Sequence, residues 1–323
     1  MKVVLAEYAG ACYGVQRALD MAYEEASGSA RVCTLGQLIH NPGVVHELEE
    51  MGVRVAGDVE DIAKILRIAK NAQEGTLENS SERSRGNEPE RALANASKRA
   101  QKADRKGAED VVIIRSHGVT PDVREALDVL DVRVADATCP HVLRAQKGAA
   151  KLAQQGCHVI VVGEPGHPEV EGLRAYALRE GAKVDVVSAP EYVPENLHAP
   201  VGVVVQTTQR RANLEAIVAA IEAQGVTPEI KDTICLATSQ RQDAATQLAA
   251  QVDAMVIIGG RMSSNTTRLA EICQAACPRA FHIESSEEID PAWFEGCETV
   301  GVTAGASTPE NQIARVIEML EAL

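Results

Sequence analysis

The chain carries 46 Asp and Glu against 32 Lys and Arg over 323 residues, a formal net charge of −14. So acidic a surface argues against a general binder of nucleic acid or anionic membrane, and no apolar run approaches the roughly 20 residues that span a bilayer. Apolar residues make up 45% of the sequence but aromatic ones only 2%, so the core is expected to consist of Val, Ile, Leu and Ala, as in parallel strands covered by helices.

In chain order, the opening Met1–Ala6 is too short an apolar stretch for a signal peptide and reads as a strand over Val3–Ala6. A cytoplasmic location is therefore expected, with the eight Cys reduced. Helical periodicity follows over Val15–Glu25, then a strand over Arg31–Thr34. Further strands are predicted at Val111–Arg115, Val132–Ala135, His158–Val162, Val184–Val187, Val201–Val205, Ala254–Ile258, Ala280–Ile283 and Thr299–Val302. Helices are predicted between them at Val142–Gln155, Arg211–Ala223, Ser239–Gln251 and Thr266–Ala275. This alternation predicts an α/β fold with parallel sheets, whose ligands bind at the carboxyl ends of the strands.

One stretch breaks the rhythm. Residues 64–108 are polar and hold 11 Lys and Arg against 6 Asp and Glu, a local charge of +5. The half from Pro89 to Lys106 is Ala-rich and is expected to be helical, the preceding half flexible. The segment reads as a solvated insertion, and its basic character offers a landing place for an acidic electron-donor protein.

A threefold pattern appears at the strand ends. Cys12 in GACYGV, Cys139 in DATCPHV and Cys235 in KDTICLAT each sit where a strand gives way to a helix. Cys12 and Cys139 lie 127 positions apart, Cys139 and Cys235 lie 96 apart. Each interval also holds two further polar strand-end loops: LIHNP and RSHGV, then GHPEVEG and QTTQ, then GGRMSSN and TAGAST. Three similar α/β units facing a common centre are expected, over residues 14–138 (with the insertion), 139–234, and 235–323 joined by 1–13.

Three thiolates meeting at a dry centre can hold an iron–sulfur cluster. A [4Fe–4S] cube with three Cys ligands leaves one iron open to act as a Lewis acid on a substrate oxygen. No Cys-x-x-Cys pair occurs, which disfavours a ferredoxin or zinc knuckle. Cys33, Cys157, Cys273, Cys277 and Cys297 read as small buried hydrophobes. His40, His117 and His167, with Ser263, Ser264, Asn265 and Ser307, make a donor-rich wall beside helix N-termini, which suits a phosphate or diphosphate. The Ser and Asn residues also have a plain structural role as helix N-caps. Glu169 is placed to relay protons if it is buried. His46, His141, His158, His198 and His282 read as structural or surface residues. The residues alone leave open an enzyme acting on any hydroxylated substrate of this kind, and a non-enzymatic iron–sulfur sensor or electron carrier. No Gly-rich dinucleotide fingerprint is present.

In order, GACYGV, LIHNP, RSHGV, DATCP, GHPEVEG, QTT, TICLAT, SSNTTRLAE and VGVTAGAST resemble the motif set of the IspH/LytB family of 4-hydroxy-3-methylbut-2-enyl diphosphate reductases. The resemblance covers nearly the whole chain outside the insertion. It implies a trefoil of three α/β units around one [4Fe–4S] cluster held by Cys12, Cys139 and Cys235. It implies loss of the allylic hydroxyl of the diphosphate substrate, with two electrons and two protons, to give isopentenyl and dimethylallyl diphosphates. It further implies Glu169 as proton donor, Thr207 ordering the hydroxyl network, and a diphosphate held by His40, His117, Ser263, Ser264, Asn265 and Ser307, with His167 between it and Glu169. A ferredoxin or flavodoxin is the implied electron donor. The sequence departs from the family pattern at Ala11, where Phe is usual, and at Arg261-Met262, where Lys-Asn is usual. Arg261 is expected to keep a charge near the phosphate end and Met262 to remove a polar group there.

Overall fold

The computed structural model describes residues 1–66 and 110–323. The insertion expected over residues 64–108, its helix and its flexible half lie outside the described residues from residue 67 onward. The described residues form three four-stranded sheets, parallel throughout. The first contains β2 (Val32–Leu35), β3 (Arg54–Ala56), β4 (Val111–Ile114) and β5 (Arg133–Asp136), in spatial order β3-β2-β4-β5. The second contains β6 (His158–Val162), β7 (Val184–Val187), β8 (Val201–Val205) and β9 (Glu229–Lys231), in order β7-β6-β8-β9. The third contains β10 (Ala254–Ile258), β11 (Ala280–Ile283), β12 (Thr299–Ala304) and β1 (Lys2–Leu5), in order β11-β10-β12-β1. The three orders are the same, with the first strand of the chain taking the fourth place of the last sheet.

Ten α-helices cover the sheets among the described residues: α1 (Tyr13–Ala26), α2 (Pro42–Glu50), α3 (Val59–Ile65), α4 (Pro121–Asp128), α5 (Pro140–Gln154), α6 (Pro168–Arg179), α7 (Arg211–Glu222), α8 (Leu236–Ala249), α9 (Ser264–Ala276) and α10 (Glu310–Glu321). Strand periodicity explains the layering. In β4, Val111 and Ile113 pack with Leu19, Val44 and Leu48 of α1 and α2, while Val112 and Ile114 pack with Ile62 and Leu127 of α3 and α4. β6 divides in the same way: Val159 and Val161 face α5 and α6, Ile160 and Val162 face α7. In β10, Val256 and Ile258 face α10, Met255 and Ile257 face α8 and α9. Central strands buried on both faces read as unbroken apolar runs, which is why the sequence reveals them.

Two strands escape the sequence reading. β3 and β9 are three-residue edge strands carrying Arg54, Glu229 and Lys231, too short and too charged to show a pattern. The predicted helices at 142–155 and 239–251 begin two and three residues earlier than their periodicity suggests, directly after Cys139 and Cys235. No helix among the described residues is long and apolar enough to cross a membrane.

Candidate active site

In each unit the loops after the first, third and fourth strands converge. The fourth strand delivers the cysteine. Cys12, Cys139 and Cys235 are the N-cap residues of α1, α5 and α8. Their backbone N–H groups donate to carbonyls on the third-strand loops: Cys12 to Ala306 at 3.1 Å, Cys139 to Ser116 at 2.9 Å, Cys235 to Thr207 at 3.0 Å. Neither Cys139 nor Cys235 accepts a capping hydrogen bond at its sulfur, but the first amides of the helix each one starts lie close enough to act on its thiol: His141 and Val142 for Cys139, Ala237 and Thr238 for Cys235. Burial raises both thiols above their ordinary range, and these amides oppose it. Three thiols that line one cavity, two of them at helix starts whose amides favour the thiolate, fit an anionic sulfur-ligated cluster. Gly14 completes the cradle, since a Cβ there would lie 2.5 Å from the Cys139 sulfur.

The first- and third-strand loops build the polar wall. The rings of His40, His117 and His167 lie 4.6–5.8 Å apart between centroids, with their ring nitrogens within 4.8 Å of one another. Such a trio could grip a metal ion or an anion. The backbone decides between them. His167 caps α6, its Nδ1 accepting the Glu169 N–H at 3.1 Å, so the ring proton sits on Nε2 and that nitrogen is a donor. His40 Nε2, His117 Nδ1 and both amide atoms of Asn265 are buried without partners. Buried polar atoms seldom stay unpaired, so this cluster has the character of a receptor for an anionic ligand. Desolvation lowers all three imidazoles, His167 to about 4, and the charge of Arg115 adds to it. The rings are neutral donors at neutral pH. Ser263 caps α9, Ser264 donates to Glu164, and Ser307 donates to the His40 carbonyl at 3.2 Å.

Glu169 sits in the first turn of α6 with 1% of its surface exposed. Its Oε1 accepts the Thr207 N–H at 2.7 Å and its Oε2 accepts the Thr207 hydroxyl at 3.0 Å. Desolvation raises the carboxyl to about 7, against the pull of those two hydrogen bonds. It can therefore hold or release a proton at neutral pH.

All twelve residues singled out in the sequence line one cavity of about 730 Å³ including its mouth. His141, read from sequence as structural or surface, also lines it, exposed at the N-terminus of α5. The other expectations about His46, His158 and His282 hold: His46 pairs with Glu50, His158 with Asp185, and His282 with the Gly259 carbonyl. Cys33, Cys157, Cys273 and Cys277 are buried in the core, and Cys297 packs against it half-buried. The expectation for Arg261-Met262 needs correction. Met262 is 81% exposed, and Arg261 is drawn into ion pairs with Glu284 and Glu288, so neither lines the cavity. Sequence reasoning passed over Asn41, whose amide donates to the Ser307 carbonyl and to Gln312, both at 2.9 Å, tying the first unit to the third. It also passed over Arg115, whose buried Nε has no partner. Neither shows a sequence signal beyond standing within two residues of a site His.

Residues 3–321 match the family model of the LytB protein. The chain belongs to the LytB family. It is 41% identical over 322 residues to the 4-hydroxy-3-methylbut-2-enyl diphosphate reductase of Geotalea uraniireducens, covering 99% of this chain and 97% of that one. The reductase of Syntrophotalea carbinolica is 38% identical over 319 residues, covering 98% of each. A solved structure of (E)-4-hydroxy-3-methyl-but-2-enyl diphosphate reductase, the terminal enzyme of the non-mevalonate pathway, is 36% identical and superposes with a TM-score of 0.63 over all of both chains. The Plasmodium falciparum E-1-hydroxy-2-methyl-but-2-enyl-4-diphosphate reductase is 22% identical, with a TM-score of 0.79 over 99% of this chain and 87% of that one, and shares the fold. The LytB match runs from β1 through α10, across all three sheets.

Proposed function

We infer that the chain reduces 4-hydroxy-3-methylbut-2-enyl diphosphate, replacing its allylic C–O bond by C–H. Two electrons and two protons enter, water leaves, and isopentenyl or dimethylallyl diphosphate is formed. The observation that carries this is one cavity lined both by three thiols and by buried polar side chains without partners. Cys12, Cys139 and Cys235 would hold a [4Fe–4S] cluster. When bound, such a cluster supplies electrons and, at the iron without a protein sulfur, a Lewis acid for the hydroxyl.

The chain's own residues do the rest. His40, His117, His167, Ser263, Ser264, Asn265 and Ser307 bind the diphosphate, helped by the N–H groups at the start of α9. Neutral imidazoles serve here because they add donors without a buried charge to desolvate. Glu169 holds the proton destined for the leaving oxygen, and the Thr207 hydroxyl passes it between carboxyl and substrate. Electrons come from a small acidic carrier of ferredoxin or flavodoxin type, for which the basic stretch 64–108 is a docking element. The three units divide at 14–138, 139–234, and 235–323 with 1–13, and the protein works in the cytoplasm.

The test is anaerobic loading with iron and sulfide, then turnover of the hydroxylated diphosphate with dithionite and a mediator. Turnover that disappears with the cluster in Cys139→Ser is expected. Full turnover by cluster-free Cys139→Ser would overturn the reading. Deleting residues 70–106 should slow reduction by the protein donor and weaken its salt dependence, leaving the dithionite rate unchanged.

A further inference from the structure

Arg241 lies on α8, two turns after Cys235, with 4% of its surface exposed. Among the described residues no carboxylate pairs with it. A guanidinium buried without a counter-charge costs several kcal/mol, so its retention calls for an anion close by. Its hydrogen bonds go to two carbonyls: Nη1 donates to Ala237 at 2.7 Å, and Nη2 donates to Gly10 at 2.8 Å, 231 positions away. Nε is buried and unpartnered. The residue lines the same cavity as the three thiols, and Cys12 and Cys235 are its electrostatic neighbours there.

The Gly10 carbonyl is two residues before Cys12. The other side of that loop is fixed by Gly10 N–H to the Ala304 carbonyl at 3.3 Å and Cys12 N–H to the Ala306 carbonyl at 3.1 Å. Arg241 thus clasps the helix that begins at Cys235 to the loop that ends at Cys12. Arg17, five residues after Cys12 on α1, repeats the device one unit further on, donating to the carbonyls of Asp136 at 3.0 Å and Thr138 at 3.3 Å, just before Cys139. The corresponding position after Cys139 is Arg144, which is exposed. Two of the three junctions are therefore clasped by arginine, and among the described residues the buried Arg241 is shared by Cys12 and Cys235.

We propose that Arg241 is a positioning residue that supplies the buried counter-charge to the sulfur-ligated cluster and holds the Cys12 loop against the Cys235 helix. This rests on the three cysteines being the cluster ligands. Two consequences separate charge from geometry. The nearby positive charge favours the reduced, more negative cluster, so removing it moves the midpoint potential to more negative values. The bidentate clasp needs a planar fork, which a single ammonium cannot reproduce.

The full chain, wild type and with Arg241→Lys or Arg241→Gln, is loaded anaerobically with iron and sulfide. Two quantities are read: the midpoint potential by EPR-monitored titration, and iron release to a chelator. Arg241→Gln should shift the midpoint negative and speed iron release by roughly 10- to 100-fold, the usual effect of losing a residue that supports a metal ligand. Arg241→Lys should stay near the wild-type midpoint yet release iron faster. If circular dichroism shows Arg241→Gln unfolded, Arg241→Lys decides alone, and wild-type release from it overturns the proposal. A loaded Arg241→Gln with wild-type midpoint and release overturns it too. A wild-type chain that takes up no iron overturns the ligand reading, and this inference with it.

Discussion

Replacing Thr207 by Val tests how Glu169, the proposed proton donor, is tuned. Valine keeps the β-branched shape and the backbone conformation. It deletes the hydroxyl that donates to Glu169 Oε2 at 3.0 Å and leaves the N–H to Oε1 at 2.7 Å. Both bonds favour the carboxylate and hold the group down against desolvation, which nevertheless raises it to about 7. A hydrogen bond to a charged group contributes about 1.5–3 kcal/mol, and one pKa unit is about 1.4 kcal/mol. Losing the hydroxyl should therefore raise Glu169 by roughly one to two units. The acid form donates the proton, so kcat/KM falls as pH rises through the Glu169 pKa. The wild-type profile should turn down near pH 7. In Thr207→Val, whatever the loss in absolute rate, the descending limb should lie at higher pH. Glu169→Gln is the control: it should abolish that limb and lower kcat/KM by about 10²- to 10⁴-fold. A limb that stays in place in Thr207→Val, or moves to lower pH, would refute the coupling.

Gly14→Ala adds a Cβ 2.5 Å from the Cys139 sulfur but suits the helix, so the apo-protein should fold with unchanged circular dichroism and fail to retain iron. Asn265→Ala removes a buried amide with no internal partner, so KM for the diphosphate should rise about tenfold with little loss of apo-protein stability by denaturant titration. The contribution of His167 to apo-protein stability should fall as pH drops from 6.5 to 4. His167 is depressed in the folded state to about 4, so its contribution is complete above pH 6.5 and is lost as it protonates, a loss on the order of 3 kcal/mol. Urea midpoints across that range should fall more steeply for wild type than for His167→Gln. Glu169 works in the opposite sense, its raised pKa contributing stability that fades as pH rises from about 4.5 through 7.

Most of this architecture is written in local sequence because the central strands are buried on both faces. β8 and β10 are uninterrupted apolar runs, and β6 is one after its opening His158, so their ends can be read to the residue. The edge strands β3 and β9 are three residues long with charged side chains, and pairing with a neighbour, rather than their own pattern, makes them strands. The starts of α5 and α8 were hidden because cysteine is not a usual helix cap and no capping box precedes either. The site divides in the same way. Cys, His, Ser and Glu at strand ends declare their chemistry by type. Arg241, Arg17, Asn41 and Gly14 act on backbone carbonyls or sulfurs more than a hundred residues away, or through a missing Cβ, and one sequence carries no trace of such contacts. Arg261 shows the converse: a charge in the right motif is diverted by Glu284 and Glu288, which the motif does not contain.

The most direct measurement is the Mössbauer spectrum of chain loaded with ⁵⁷Fe under anaerobic conditions, recorded with and without 4-hydroxy-3-methylbut-2-enyl diphosphate. A cube held by sulfurs 12, 139 and 235 should give one iron subsite distinct from the other three, and that subsite alone should change when the diphosphate is added. Four equivalent sulfur-ligated irons, indifferent to the diphosphate, would contradict the account.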